Sequence, residues 1–197
     1  MTTSPAAAEL TIVPLTPERL DDLATIFDQP GDPKWCWCAS FRIQANVKSR
    51  PPAENRAVLA EAARSGRPPG LIGYRDGRAV GWVSLGPRED FVKLARSKVF
   101  APVDDRPVWS IVCFVVARSE RGQGLARELL AAAIRYAKAE GATTLEAYPA
   151  DTGGQRIHIT DAYKGTLSMF ECAGFTVVAR RRWSANTVER LTVRLDL

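Results

Sequence analysis

At 197 residues the chain has the length of one domain with a sizeable core, and no apolar run approaches the roughly 18–20 residues that cross a bilayer. Its 46% hydrophobic and 25% charged residues are those of a globular protein, and Met1 to Glu9 holds no basic stretch followed by an apolar one, so a cytoplasmic protein with no membrane segment is expected. Lys and Arg outnumber Asp and Glu by 27 to 22, a net charge of +5 that suits an anionic ligand, but the basic residues are scattered apart from Arg180-Arg181-Arg182 and are not interleaved with aromatics, which argues against nucleic acid.

Residues 1–8 are small and polar and read as a disordered start, leaving a single domain over 9–197. Leu10 to Pro14 reads as a strand. Thr16 then caps a helix with Pro17 at its first position, and Leu20, Leu23, Ala24 and Phe27 share one face of it. Trp35-Cys36-Trp37-Cys38 is an unusual aromatic stretch. Cys-x-Cys without a second close pair or a nearby histidine is a poor zinc signature, so Cys36, Cys38, Cys113 and Cys172 are expected as buried thiols, with no metal. A helix is predicted over Ala39 to Val47 and another from Pro52 to about Ser65, stopped by Gly66. Gly70–Tyr74 and Ala79–Leu85 flank Asp76-Gly77, a hairpin signal.

Glu89 to Lys98 reads as a helix within the next connection. Val108 to Ala117 is almost wholly apolar and β-branched, the pattern of a strand buried on both faces. Ala126, Leu129, Leu130, Ala133, Ile134 and Ala137 then mark one face of a helix ending at Gly141. Thr143–Tyr148 is a strand, Pro149–Ile159 a polar loop, and Asp161–Cys172 a helix; strands at Phe175–Arg182 and Val188–Leu195 close the chain.

Chemistry concentrates where the buried strand turns into its helix, at Arg121-Gly122-Gln123-Gly124-Leu125-Ala126-Arg127. Backbone N–H groups at such a junction have no intrahelical acceptor, and the positive end of the helix dipole stands behind them. Glycines at 122 and 124 permit the turn and the approach of phosphate oxygens. The turn lacks the Lys-Ser/Thr end of a nucleoside-triphosphate loop, and Arg127 occupies the last glycine position of Gly-x-Gly-x-x-Gly.

The Arg-x-x-Gly-x-Ala spacing of Arg121, Gly124 and Ala126, after Phe114-Val115-Val116, resembles the acetyl-coenzyme A motif of the GNAT N-acetyltransferases. Phe170-Glu171-Cys172-Ala173-Gly174-Phe175 is similar to that family's segment ending in Gly-Phe, and the element order parallels the family fold from about Leu10 to Leu195. The resemblance implies an α/β fold with a central splayed, mixed sheet of about six to seven strands flanked by helices. It also implies acetyl-CoA as co-substrate: Phe114, Val115 and Val116 would offer backbone groups to the pantetheine arm and thioester carbonyl, and Gly122 to Arg127 would hold the pyrophosphate. The cleft would lie between Val112–Val116 and Leu145–Tyr148, with a primary amine entering from the opposite side, a small-molecule acceptor being favoured over a protein.

Direct transfer needs an oxyanion donor, for which the N–H of Val115 or Val116 is a candidate, and an acid for the departing thiolate. Many relatives place a tyrosine where this chain has Phe170. Tyr163 is the leading substitute, two helical turns earlier and about 10 Å away along a helix, with Tyr148 and Cys172 as rivals. For the base, some relatives carry a glutamate where this chain has Ser110, and Glu146 is the first choice, ahead of Asp151 and His158. Trp35 to Cys38 would either wall the acceptor pocket or close the core, and Arg88, Glu89, Asp90, Asp104 and Asp105 are candidates for attracting a cationic acceptor. A CoA-binding sensor without transfer is the competing reading. The final hairpin is a candidate surface for a homodimer.

Overall fold

The structure, a computed structural model, describes residues 9–30, 33–149, 151, 162–182, 184 and 189–197. Seven strands form one sheet in the order β1-β2-β3-β4-β5-β7-β6. They are β1 (Leu10–Pro14), β2 (Gly70–Arg75), β3 (Arg78–Pro87), β4 (Trp109–Val116), β5 (Thr144–Ala147), β6 (Thr176–Arg181) and β7 (Arg190–Asp196). All neighbours are antiparallel except β4 and β5. A parallel pair needs a crossover, and the amphipathic helix α5 (Leu125–Ala139) supplies it.

α5 buries Leu125, Leu129, Leu130 and Ala133 against Leu71, Val83, Phe114 and Leu145. Gly73 and Gly81 face each other across β2 and β3, and a Cβ on Gly81 would stand 2.9 Å from Leu129 Cδ1, so this pair lets the helix settle close to the sheet. On the opposite face α1 (Leu20–Phe27) buries Leu20, Leu23, Ile26 and Phe27 against Ile72, Trp82 and Val115. Each fully buried side chain of this kind contributes about 1.5–3 kcal/mol. The short helix α2 (Pro33–Cys36) and the longer α3 (Pro52–Arg64) cover the same face. Beside them Phe91 and Leu94 of the segment around α4 (Val92–Arg96) pack with Phe100, Val112 and Tyr148.

Three predicted helices are broken. Over 39–47 there is no α-helix but two 3-10 turns, Ala39–Phe41 and Val47–Ser49. The chain enters the first through Trp37 and Cys38, both at positive φ (44° and 50°), which reverses its direction, and the Asn46 side chain accepts from the Lys48 N–H to set the second. The predicted helix over 89–98 divides at Phe91 (φ −110°, ψ 76°) into a 3-10 turn, Arg88–Asp90, and α4. The predicted helix over 161–172 is interrupted: Ala162 is still helical, residues 163–166 are not, and α6 (Leu167–Glu171) starts anew. Gly165 at φ +79° stops any earlier helix, and Thr166, extended, caps a new one by accepting from the Met169 N–H. Tyr163 and Phe170 therefore share no helical face.

β4 decides where the site lies. It pairs with β3 as far as Val116, but with β5 only through Trp109↔Leu145, Ser110↔Glu146 and Ile111↔Ala147. Beyond Ile111 the two parallel strands part. Opposite Ser84 and Leu85 the register shifts and Val112 is the extra residue, a bulge that puts Ile111 and Phe114 on the α5 face and Val112 on the other. No helix among the described residues is long and apolar enough to cross a membrane.

Candidate active site

At the end of β4 the chain makes a 3-10 turn, Arg118–Glu120, and then passes through Gly122 (φ 76°) and Gly124 (φ 83°) into α5. These angles strain any residue with a Cβ. Yet a Cβ built on either glycine meets no protein atom within 4 Å, so the space above the backbone is open, as a phosphate cradle requires. The Arg127 N–H turns back to the Gly124 carbonyl at 2.8 Å, whereas those of Leu125 and Ala126 precede any intrahelical acceptor. The Leu125 side chain is buried under the sheet, so it can contribute only backbone here.

The turn is held from outside by residues that the sequence patterns did not single out. Arg75, the last residue of β2, reaches the buried Glu120 carboxylate at 2.5 Å and the Gln123 side-chain oxygen at 3.1 Å. Gln123 also donates to the Ser119 carbonyl at 2.8 Å. Glu120 sits in a polar loop that gives no sequence sign of burial; only an arginine just ahead of the Asp76-Gly77 turn hinted at a partner.

Along the open edge of β4 the Phe114 N–H donates to the Tyr163 carbonyl at 2.6 Å, and the Val116 carbonyl accepts from Arg121 Nε at 3.2 Å. The Ala117 N–H instead goes to the Val80 carbonyl in the β3 direction, at 2.9 Å. Because strand backbone groups alternate in direction, Phe114 and Val116 present theirs to the splay and Val115 turns its own toward β3. That corrects the expectation for Val115: its N–H does not face the open edge, and the residue enters the site through its side chain on the other face of the sheet.

Two clefts lie on either side of β4. One, of about 230 Å³, is lined by Phe114, Val116, Arg121, Ala126 and Tyr163. The other, of about 330 Å³, lies under α2 and α4 and is walled by Trp35, Phe41, Phe100, Val112, Val115 and again Tyr163. Tyr163 is thus the residue common to both. The Trp35-Cys36-Trp37-Cys38 stretch is divided between the two roles expected of it. Trp37 packs edge-on against Phe27 at 5.1 Å in the core, while Trp35, 48% exposed, and Cys36 line the larger cleft. Cys38 does both, taking the Trp82 indole N–H at 3.1 Å, with its thiol pushed up in pKa chiefly by the neighbouring Cys113.

The other proton-transfer candidates lie elsewhere. Phe170 is fully buried, with ring centroids 6.1 Å from Phe114 and 5.1 Å from Phe175. Glu146, beside Ser110 across the parallel pair, is 1% exposed; it takes Arg194 Nε and Nη2 at 3.0 and 2.8 Å on one oxygen, and Arg88 at 3.1 Å and the Tyr148 hydroxyl at 3.2 Å on the other. The Tyr148 hydroxyl is also within 2.9 Å of Ser110 Oγ, and burial together with Glu146 raises its pKa well above the usual phenol range. Neither Glu146 nor Tyr148 is among the described residues that line the two clefts. Cys172 is exposed in a separate groove with Arg127 and Ile134, and Asp151 pairs with Arg180 at 3.6 Å. His158 lies outside the described residues, as does most of the predicted loop before it.

Two of the acidic residues expected to draw in a cationic acceptor, Asp104 and Asp90, are committed to arginines, while Glu89 and Asp105 are exposed. Asp104 is clamped by Arg194 at 2.6 and 2.9 Å, and Asp90 stands 3.9 Å from Arg42 and 4.0 Å from Arg67. Among the described residues no group of three or more His, Cys, Asp or Glu side chains is placed to hold a metal ion.

A mixed sheet that opens beside its central strand, with a glycine cradle heading the crossover helix and a second cleft across the strand, defines a coenzyme A-dependent acyltransferase. The sequence profile described as the Acetyltransferase (GNAT) family matches residues 34–158, and the chain belongs to that family, whose members take the acetyl group from acetyl-CoA. No curated protein sequence matches it significantly. Among solved structures, similarity extends to yncA from Salmonella typhimurium with its cofactor acetyl-CoA (18% identity, 95% of this chain and 94% of that one, TM-score 0.57). It extends also to the ribosomal-protein-alanine N-acetyltransferase from Brucella melitensis (20%, 95% and 99%, 0.56) and the polyamine N-acetyltransferase from Drosophila melanogaster (12%, 96% and 100%, 0.60). At these identities the likeness is one of fold.

Proposed function

We propose that this protein transfers the acetyl group of acetyl-CoA to the primary amine of a small molecule by direct attack on the thioester. The observation that carries the reading is the position of Tyr163 between a cleft beneath the glycine turn and a second cleft on the opposite face of β4. Acetyl-CoA supplies the activated acyl group. Gly122 to Ala126 hold its phosphates with backbone N–H groups, and the open-edge groups of Phe114 and Val116 pair with its extended arm.

The N–H of Val116, fixed by the strand, receives the charge that develops on the acyl oxygen without reorganisation, since the Phe114 N–H is already taken by the Tyr163 carbonyl. Tyr163, which lines both clefts, gives from its hydroxyl the proton that the departing sulfur needs and regains the one that the attacking nitrogen sheds, directly or through water. Glu146 acts as the counter-ion that holds Arg88 and Arg194 rather than as the base, since its two oxygens are already taken by guanidinium and phenol donors. The volume of the larger cleft, near the lower end of small-ligand pockets, favours a small acceptor over a protein segment. The Brucella and Drosophila proteins act on a ribosomal protein and on polyamines respectively, so the fold itself does not select between these classes.

The deciding experiment measures free thiol released from acetyl-CoA with and without a panel of amines. Amine-dependent release that saturates supports transfer. Tight acetyl-CoA binding with no amine-dependent release across the panel would instead favour a CoA-binding sensor.

A further inference from the structure

Every charged side chain among the described residues of the larger cleft is a lysine: Lys48, Lys93 and Lys164. Lys93 projects from α4, half-buried against the aromatic wall. Lys164 follows Tyr163 directly and holds its ammonium 5.9 Å from the centre of the Phe100 ring. The carboxylates nearby are drawn off to arginines, Asp90 to Arg42 and Arg67 and Glu146 to Arg88 and Arg194. The cleft therefore pairs an aromatic and aliphatic wall with a positive field and offers no described carboxylate to a second ammonium group.

Resting on the acetyl-transfer reading, we propose that the acceptor is an amino acid-like small molecule whose amine is accompanied by a carboxylate on an apolar or aromatic skeleton. Lys93 is the residue that engages the carboxylate. The apolar skeleton lies along Trp35, Phe41 and Phe100, which leaves the amine to reach the floor of the cleft at Val112 and Cys113 on β4, on the side shared with Tyr163. A diamine gains nothing here and meets like charge. Partial burial already pulls the Lys93 ammonium below its ordinary pKa, a desolvation cost that a bound anion offsets. The same positive surroundings favour the neutral form of a bound amine, the form that attacks.

The test compares phenylalanine with phenethylamine, tryptophan with tryptamine, and putrescine as a cation-only probe. Each is measured by calorimetric binding to the CoA-saturated protein and by kcat/KM with acetyl-CoA. The expected result is a preference of tenfold or more for each amino acid over its decarboxylated partner, lost in Lys93→Met and kept in Lys93→Arg. Equal or better binding of phenethylamine, tryptamine or putrescine overturns the proposal, as does a preference that survives Lys93→Met or a Lys93→Met variant altered only in acetyl-CoA affinity. Failure of all the amino acids to bind overturns it too. Preferential binding of amino acids with no acetylation leaves the carboxylate assignment standing and removes transfer instead.

Discussion

The carbonyl of Tyr163 accepts the backbone N–H of Phe114 at 2.6 Å, across the gap where β4 has lost its parallel neighbour. One residue thus closes the open edge of the strand with its backbone and lines both clefts. Removing only the hydroxyl separates these roles. Tyr163→Phe is expected to lower kcat by about 10²-fold, the usual scale for a lost general acid, with little change in acetyl-CoA affinity. Steady-state kinetics set against calorimetric titration reads both quantities, and an undiminished kcat removes Tyr163 from proton transfer.

Gly124→Glu places a carboxylate in the open space over the α5 amides, where phosphate oxygens would otherwise sit. Acetyl-CoA binding is expected to weaken by more than tenfold. Gly124→Asn, which tolerates the positive φ without adding charge, is expected to lose much less. Equal affinity in Gly124→Glu and the parent protein, read by titration calorimetry, means that the cofactor binds elsewhere.

The Arg75–Glu120 pair tests whether the turn is held from β2. With the carboxylate buried and the guanidinium mostly so, Glu120→Gln is expected to cost about 1–3 kcal/mol in urea unfolding. It is also expected to raise the acetyl-CoA dissociation constant, because Gln123 leans on the same arginine. A loss of stability with unchanged cofactor affinity confines the pair to folding.

Glu146→Gln leaves Arg194 and Arg88 facing a neutral group in the interior. A destabilisation of about 3–5 kcal/mol is expected. The kcat of the folded fraction is expected to stay within about twofold, since a base supplies about 10²-fold or more. A fall in kcat on that larger scale, with stability kept, returns Glu146 to the role of base.

Acid stability follows from the other carboxylate on Arg194. Hydrogen bonds from Arg194, aided by Arg106, hold the Asp104 carboxyl well below its usual pKa in the folded protein. A lowered folded pKa means that the unfolded chain takes up the proton first. The pair stabilises fully above about pH 4, the ordinary carboxylate value, and this contribution fades as the pH falls below it. Thermal unfolding at neutral and acid pH is expected to show a larger drop in Tm for the parent protein than for Asp104→Asn.

The sequence by itself determined the parts of this protein that depend on neighbours in the chain. The apolar run at Val108–Ala117, the stripe on α5 and the Asp76-Gly77 hairpin appear where their periods and turn residues place them, because each is fixed by steric and burial rules acting over a few residues. The glycine turn belongs to the same group, since positive φ at Gly122 and Gly124 is a local demand.

Only the tertiary structure decided the surroundings of the chemistry. Tyr163 is a plausible helical neighbour of Phe170 by spacing, yet Gly165 ends that register and the long-range bond to Phe114 places it instead. Glu146 alternates along β5 like any half-buried strand residue. It becomes a buried counter-ion because β7 and the segment after β3 bring Arg194 and Arg88 onto it. Lys93, Lys164 and Trp35, far apart in the chain, form one wall only when α2, α4 and the segment before α6 meet over the bulge in β4. Long-range packing and ion pairing carry no local period, so no pattern of residue types could have announced them.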